Sequence, residues 1–156
     1  MTLPFFKSHY SIGRSILTLE KPSEPDERGS DSIIDICIDN DFSHMILVED
    51  NMNGFLEAYQ NSKDAKVNLV FGLRIAITDD CEDKSAESIP KTCKYILFAK
   101  NNEGYKRLIR IYSHAAKTGF YYYPRTDFKA LKEFWSSDDL FFCVPFYDSF
   151  IFKNTL

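Results

Sequence analysis

"HMILVEDNMNGF", residues 44–55, changes character at its midpoint. It begins as a continuous apolar run, the pattern of a strand buried on both faces. Glu49, Asp50 and Asn51 then turn the chain, and Gly54 leads into "GFLEAYQNSKDAK". That segment suits a helix with Phe55, Leu56 and Tyr59 turned inward. Strand, turn and helix together make a βα unit. In such folds chemistry is built just past a strand's C-terminal end, so Glu49 and Asp50 are the first candidate site residues.

Working outward, "LPFFKSHYSI" reads as a short strand leaving into a turn, and Lys21 to Asp31 as a charged loop punctuated by Pro22, Pro25 and Gly29. "SDSIIDICIDND" places Ile33, Ile34, Cys37 and Ile38 on one helical face, with Ser30, Asp31 or Ser32 as N-cap. Downstream, "VNLVFGLRIAIT" is a long β-type run in which Gly72 marks a bulge or a close backbone approach. Thr78 to Pro90 is acidic and reads as an exposed loop, and "CKYILFAK" as a strand. "NNEGYKRLIRIYSHAAKTG" is the clearest helix, with Tyr105, Leu108, Ile109, Tyr112 and Ala116 on one face, Asn101 or Asn102 at its start and Gly119 at its end. "DFKALKEFW" reads as a short helix and "LFFCVPF" as a strand, while "FYDSFIF" reads as a strand or docking segment. Strands alternating with helices predict an α/β fold with mostly parallel strands. That alternation makes Arg74, in the third strand, a further position to examine.

The chain has 156 residues, enough for one core, and reads as a single domain over residues 1–156. A formal net charge of -4 argues against a strongly basic nucleic-acid-binding face. Cys37, Cys81, Cys93 and Cys143 are scattered without a C-x-x-C pair, which suits reduced thiols rather than a disulfide framework or an all-cysteine zinc site. "MTLPFFKSHYS" has no apolar core of a signal peptide, and no run is long enough to span a bilayer. A cytoplasmic protein without membrane contact is expected.

"FKSHYSI", "ILVEDNMNGFLEAY", "VNLVFGLRI", "YILFAKNNEGYKRLIRIYS" and "GFYYYPRTDFKALKEF" occur in an order that resembles one known domain. It is the polymerase-and-histidinol-phosphatase (PHP) domain at the N-terminus of bacterial DNA polymerase III alpha subunits. The resemblance implies a partial or truncated PHP-like (βα) barrel and an N-terminal fragment of a larger replicative polymerase. Active members of that family are metal-dependent phosphoesterases. Their ligands lie in an H-x-H on the first strand, an Asp-His after the second and a Glu after the glycine of the third.

On that pattern the first pair falls on Phe5 and Lys7, the second on Val48 and Glu49, and the third-strand glutamate on Arg74. Lysine and arginine cannot ligate a cation; they bring positive charge to where metal ions would sit. The resemblance therefore implies a degenerate metal site with no catalytic residue and no cofactor. Lys7 and Arg74 are expected to pair with Glu49 in place of the ions. The implied role is structural, supporting the remainder of a polymerase, docking an exonuclease or binding other replication proteins.

Two alternatives remain open at this level. A rearranged site built from His9, Glu49 and Asp50 would hold zinc, manganese or magnesium and act as a phosphoesterase or nuclease. A small stand-alone protein would instead bind a replication component. Tyr121, Tyr122, Tyr123 and Arg125 resemble a stacking platform for weak single-stranded DNA contact, although packing of tyrosine rings accounts for them more simply. An incomplete barrel would leave strand edges for a partner or for self-association.

Overall fold

The computed structural model describes residues 5–13, 17–21 and 32–154. The chain divides into two compact units, Met1–Gly72 and Leu73–Leu156.

In the first unit, β1 (Phe5–Phe6) pairs in parallel with β2 (His44–Glu49), Phe5 opposite Ile46 and Phe6 opposite Leu47. β2 is buried from Met45 to Glu49, as its continuous apolar run requires. Between them lie the short helix α1 (His9–Ile12) and α2 (Ile33–Asp39). Ser32 caps α2, its hydroxyl accepting from the Ile34 and Asp35 N–H groups at 3.2 and 3.4 Å. Ile33, Ile34 and Cys37 are buried as expected, but Asp35 joins them while Ile38 is half-buried. Ser30, Asp31 and nearly all of the expected loop at residues 21–31 lie outside the described residues.

The next helix, α3 (Phe55–Asp64), corrects an expectation. Leu56 is 61% exposed and Tyr59 47%, whereas Ala58, Asn61 and Ser62 face inward. Asn61 decides the phase: its amide donates to the Leu19 carbonyl at 2.6 Å, and the small neighbours allow that approach. Phe55 alone of the expected trio packs inward, edge-on to Phe71 with 5.1 Å between ring centroids. The strand β3 (Asn68–Thr78) begins in this unit and continues in strand conformation through Gly72.

In the second unit, the end of β3 pairs in parallel with β5 (Arg125–Asp127), Ala76 opposite Arg125 and Thr78 opposite Asp127. β4 (Cys93–Ala99) pairs with β6 (Leu140–Cys143), Ala99 opposite Leu140. That pairing is antiparallel, the exception in a mostly parallel arrangement. It is fixed where the turn before β6 meets the end of β4, the Lys100 N–H donating to the Asp139 carbonyl at 2.9 Å.

The helix α4 (Asn102–Lys117) starts at the cap Asn101, whose side chain accepts from the Gly104 N–H at 2.8 Å. Its buried residues are Gly104, Leu108, Ile111 and Ala115. Of the expected face only Leu108 is fully buried; Tyr105 and Tyr112 are half-buried, and Ile109 and Ala116 are exposed. Gly104 sets this phase. A Cβ there would stand 2.1 Å from the Asp139 carbonyl oxygen, so the backbones meet where only hydrogen fits. Gly119 likewise lies against the Arg125 carbonyl, 1.8 Å from where its Cβ would be, and this contact rather than helix termination requires glycine.

Asp127 caps α5 (Phe128–Phe134), accepting from the Ala130 N–H at 2.7 Å. The C-terminal "FIFKN" forms α6 (Phe150–Asn154), so the strand alternative for "FYDSFIF" is corrected to a helix over its last residues. Residues 78–90 are not simply an exposed loop either. Cys81 and Ser88 are buried, a 3₁₀ turn spans Ala86–Ser88, and Arg125 holds the segment from beneath. The mixed α/β architecture with mostly parallel strands is as expected.

Candidate functional site

The ends of β1 and β2 carry the candidate residues of the first unit. Glu49, the last residue of β2, is fully buried. Its carboxylate accepts from the Ser8 N–H at 2.8 Å and also from the Ser11 hydroxyl. The Ser11 oxygen in turn accepts from the Asp50 N–H at 2.7 Å. Ser8 is the N-cap of α1, its hydroxyl accepting from the Tyr10 N–H at 3.3 Å. The first turn of α1 is thus tied across the end of β2 by one buried carboxylate.

Lys7 points to Asp50, with Nζ 2.6 Å from Oδ2 and both side chains partly exposed. The expected ion pair of Lys7 with Glu49 is therefore corrected. Glu49 is held by uncharged donors, because Ser8 and Ser11 reach it on the turn that immediately follows Lys7. Asn51 donates to the Tyr10 carbonyl at 2.8 Å, and the Tyr10 hydroxyl to Glu57 at 2.8 Å, fastening α1 further.

His9 is half-buried with its ring 4.3 Å from that of Tyr10, and its Nδ1 is buried without a hydrogen-bond partner among the described residues. Phe5 is exposed, and Val48 is buried in the strand. Arg74, in the second unit, pairs with Asp148. Among the described residues, no group of three or more histidine, cysteine, aspartate or glutamate side chains is arranged to hold a metal ion.

Ser8 and Ser11 were not singled out from sequence. The available signal was the preference of serine for the position before a helix.

The aromatic segment of the second unit is also resolved. Tyr122 is 75% exposed, its ring 4.7 Å from that of Tyr121. Arg125 is fully buried. Its guanidinium donates to the Gly119 carbonyl at 3.3 Å, the Ser88 hydroxyl at 2.8 Å and the Asp83 carbonyl at 2.8 Å, and lies over the Tyr121 ring at 5.1 Å. The expectation that Arg125 offers a surface cation to DNA is corrected: its donors are spent inside the fold.

The PHP domain family matches residues 29–145, three quarters of the chain. The chain belongs to the PHP domain family. Within that family it is similar to DNA polymerase III alpha subunits. It is 36% identical over 83 residues to the DNA polymerase III subunit alpha of Helicobacter pylori, which covers 53% of this chain and 7% of that protein. It is 33% identical over 86 residues to the subunit alpha of Campylobacter jejuni, covering 54% and 7%. With the subunit alpha of Borreliella burgdorferi it shares 32% over 95 residues, covering 59% and 8%. The matched stretch is thus a small part of each of these relatives. No helix among the described residues is long and apolar enough to cross a membrane.

Proposed function

We propose that this PHP domain acts in DNA replication as a non-catalytic structural or interaction module of a DNA polymerase III alpha-type replicase. The observation that carries the reading is the state of Glu49. A carboxylate that serves a metal ion must present an oxygen to it, but this one is buried and engaged by Ser8 and Ser11. Beside it the Lys7 ammonium pairs with Oδ2 of Asp50, the other carboxylate at the same strand end. Phe5 and Val48, at the same strand ends, supply no donor. The residues present do not fit the metal cluster of active family members. What the arrangement does supply is rigidity, a strand end closed by α1. The partners in this reading are the remainder of the polymerase or other replication proteins in the cytoplasm.

The test is elemental analysis of chelator-treated protein after incubation with zinc, manganese and magnesium, together with a phosphatase assay on p-nitrophenyl phosphate. Less than roughly a tenth of an ion per chain, with no metal-dependent hydrolysis, is expected. A stoichiometric ion lost on His9→Ala or Glu49→Ala would overturn the reading in favour of a rearranged phosphoesterase site.

A further inference from the structure

In the second unit an acidic cavity and an apolar groove adjoin. The cavity, of about 420 Å³, is lined by Asp79, Asp80, Glu82, Glu133, His114 and Lys129, above the capping Asp127. The groove, of about 480 Å³, runs past Tyr95, Phe128, Phe142, Val144 and Phe150. Asp79 lines both. A shallower hollow of about 260 Å³ between Phe128, Leu131, Trp135 and Phe142 extends the apolar surface. Phe128 and Phe150 are about half exposed, and aromatic surface gathered in this way marks a contact site on a folded protein.

The charges around it define what fits. Four exposed carboxylates line the cavity against one lysine, while Lys91 and Lys132 lie at the groove and the hollow. A polyanion such as a nucleic acid would bring phosphates against those carboxylates. A second copy would bring the same carboxylates on a chain of net charge -4.

We infer that this surface docks a basic, amphipathic segment of a protein partner, with aromatic or aliphatic side chains in the groove and a lysine or arginine in the cavity. The inference rests on the interaction-module reading above and names the partner's chemistry. Charge complementarity would set the approach and the aromatic groove would hold the segment.

The test uses the full chain and a fluorescein-labelled peptide alternating lysine with leucine and phenylalanine, titrated by anisotropy. A matched peptide with glutamate for lysine and a labelled oligothymidylate are titrated beside it. The basic peptide should bind about tenfold or more tighter than either. Asp79→Lys with Glu133→Lys should weaken it about tenfold or more, and Phe150→Ser about threefold or more. Asp64→Lys with Glu103→Lys, an equal charge change elsewhere, should leave it within about twofold. Should the Asp79, Glu133 double variant fail to fold by circular dichroism, Glu133→Lys alone should still weaken binding about fourfold or more.

Absence of binding, equal affinity for the two peptides, tighter binding of the oligonucleotide or equal loss in both double variants would each overturn the inference. So would unchanged binding by Phe150→Ser, or a dimer by sedimentation that this substitution dissolves. Metal uptake and hydrolysis are separate readouts, so this inference can fail while the non-catalytic reading stands.

Discussion

The Glu49 carboxylate and the Ser8 N–H meet at 2.8 Å across 41 residues of sequence, joining the end of β2 to the start of α1. The Ser11 hydroxyl donates to the same carboxylate. Glu49→Ala would leave the buried Ser8 N–H and the half-buried Ser11 hydroxyl without their acceptor, so we expect a loss of about 2–4 kcal/mol. Glu49→Gln keeps one acceptor oxygen and should cost roughly half as much. Urea denaturation followed by circular dichroism measures both. An unchanged midpoint for Glu49→Ala would show that the carboxylate does not hold α1.

Gly104 gives a prediction of sign. Replacing glycine with alanine inside a helix normally stabilises by about 1 kcal/mol. Here the added methyl would enter the Asp139 carbonyl, so Gly104→Ala should destabilise by about 1–3 kcal/mol. Gly119→Ala, against the Arg125 carbonyl, should do the same. Thermal melts that rise with either substitution would contradict the close approaches.

Asp127 supplies a pH dependence. Burial opposes its ionisation, but hydrogen bonds from the Ala130 and Cys81 N–H groups outweigh this and hold its carboxyl below the usual range. A depressed folded pKa contributes stability above the unfolded value of about 3.9 and loses it as pH falls through the folded value. Asp127→Asn should therefore cost about 1–2 kcal/mol at pH 7. The difference from the parent protein should shrink below the unfolded carboxylate value, of about pH 4. A difference constant with pH would assign the cost to geometry rather than charge.

The thiols should divide into two classes. Burial raises Cys37 to about 11, and burial followed by the hydrogen bond with Asp127 raises Cys81 to about 12. Cys93 and Cys143 are half-buried. With iodoacetamide at pH 8, Cys93 and Cys143 should react about ten times faster or more than the other two. Peptide mass mapping over time reads this directly; early labelling of Cys81 would contradict its enclosed position.

Sequence alone determined most of the local elements, though not α6 or the folded segment at residues 78–90. The apolar run of β2 can only be buried, and the caps Ser32 and Asn101 were each among the few candidates the sequence offered, because a cap needs nothing beyond its own turn. The order of strands and helices and the family motifs were legible for the same reason. Tertiary structure decided which faces turn inward. α3 is phased by Asn61 reaching the Leu19 carbonyl, and α4 by Gly104 meeting Asp139, contacts that hydrophobic periodicity does not weigh. It decided that β6 runs antiparallel to β4 and that Arg125 is an internal tie. It also decided that Lys7 takes Asp50 while Ser8 and Ser11 take Glu49. Each outcome depends on groups distant in sequence that only the folded chain brings within hydrogen-bonding reach.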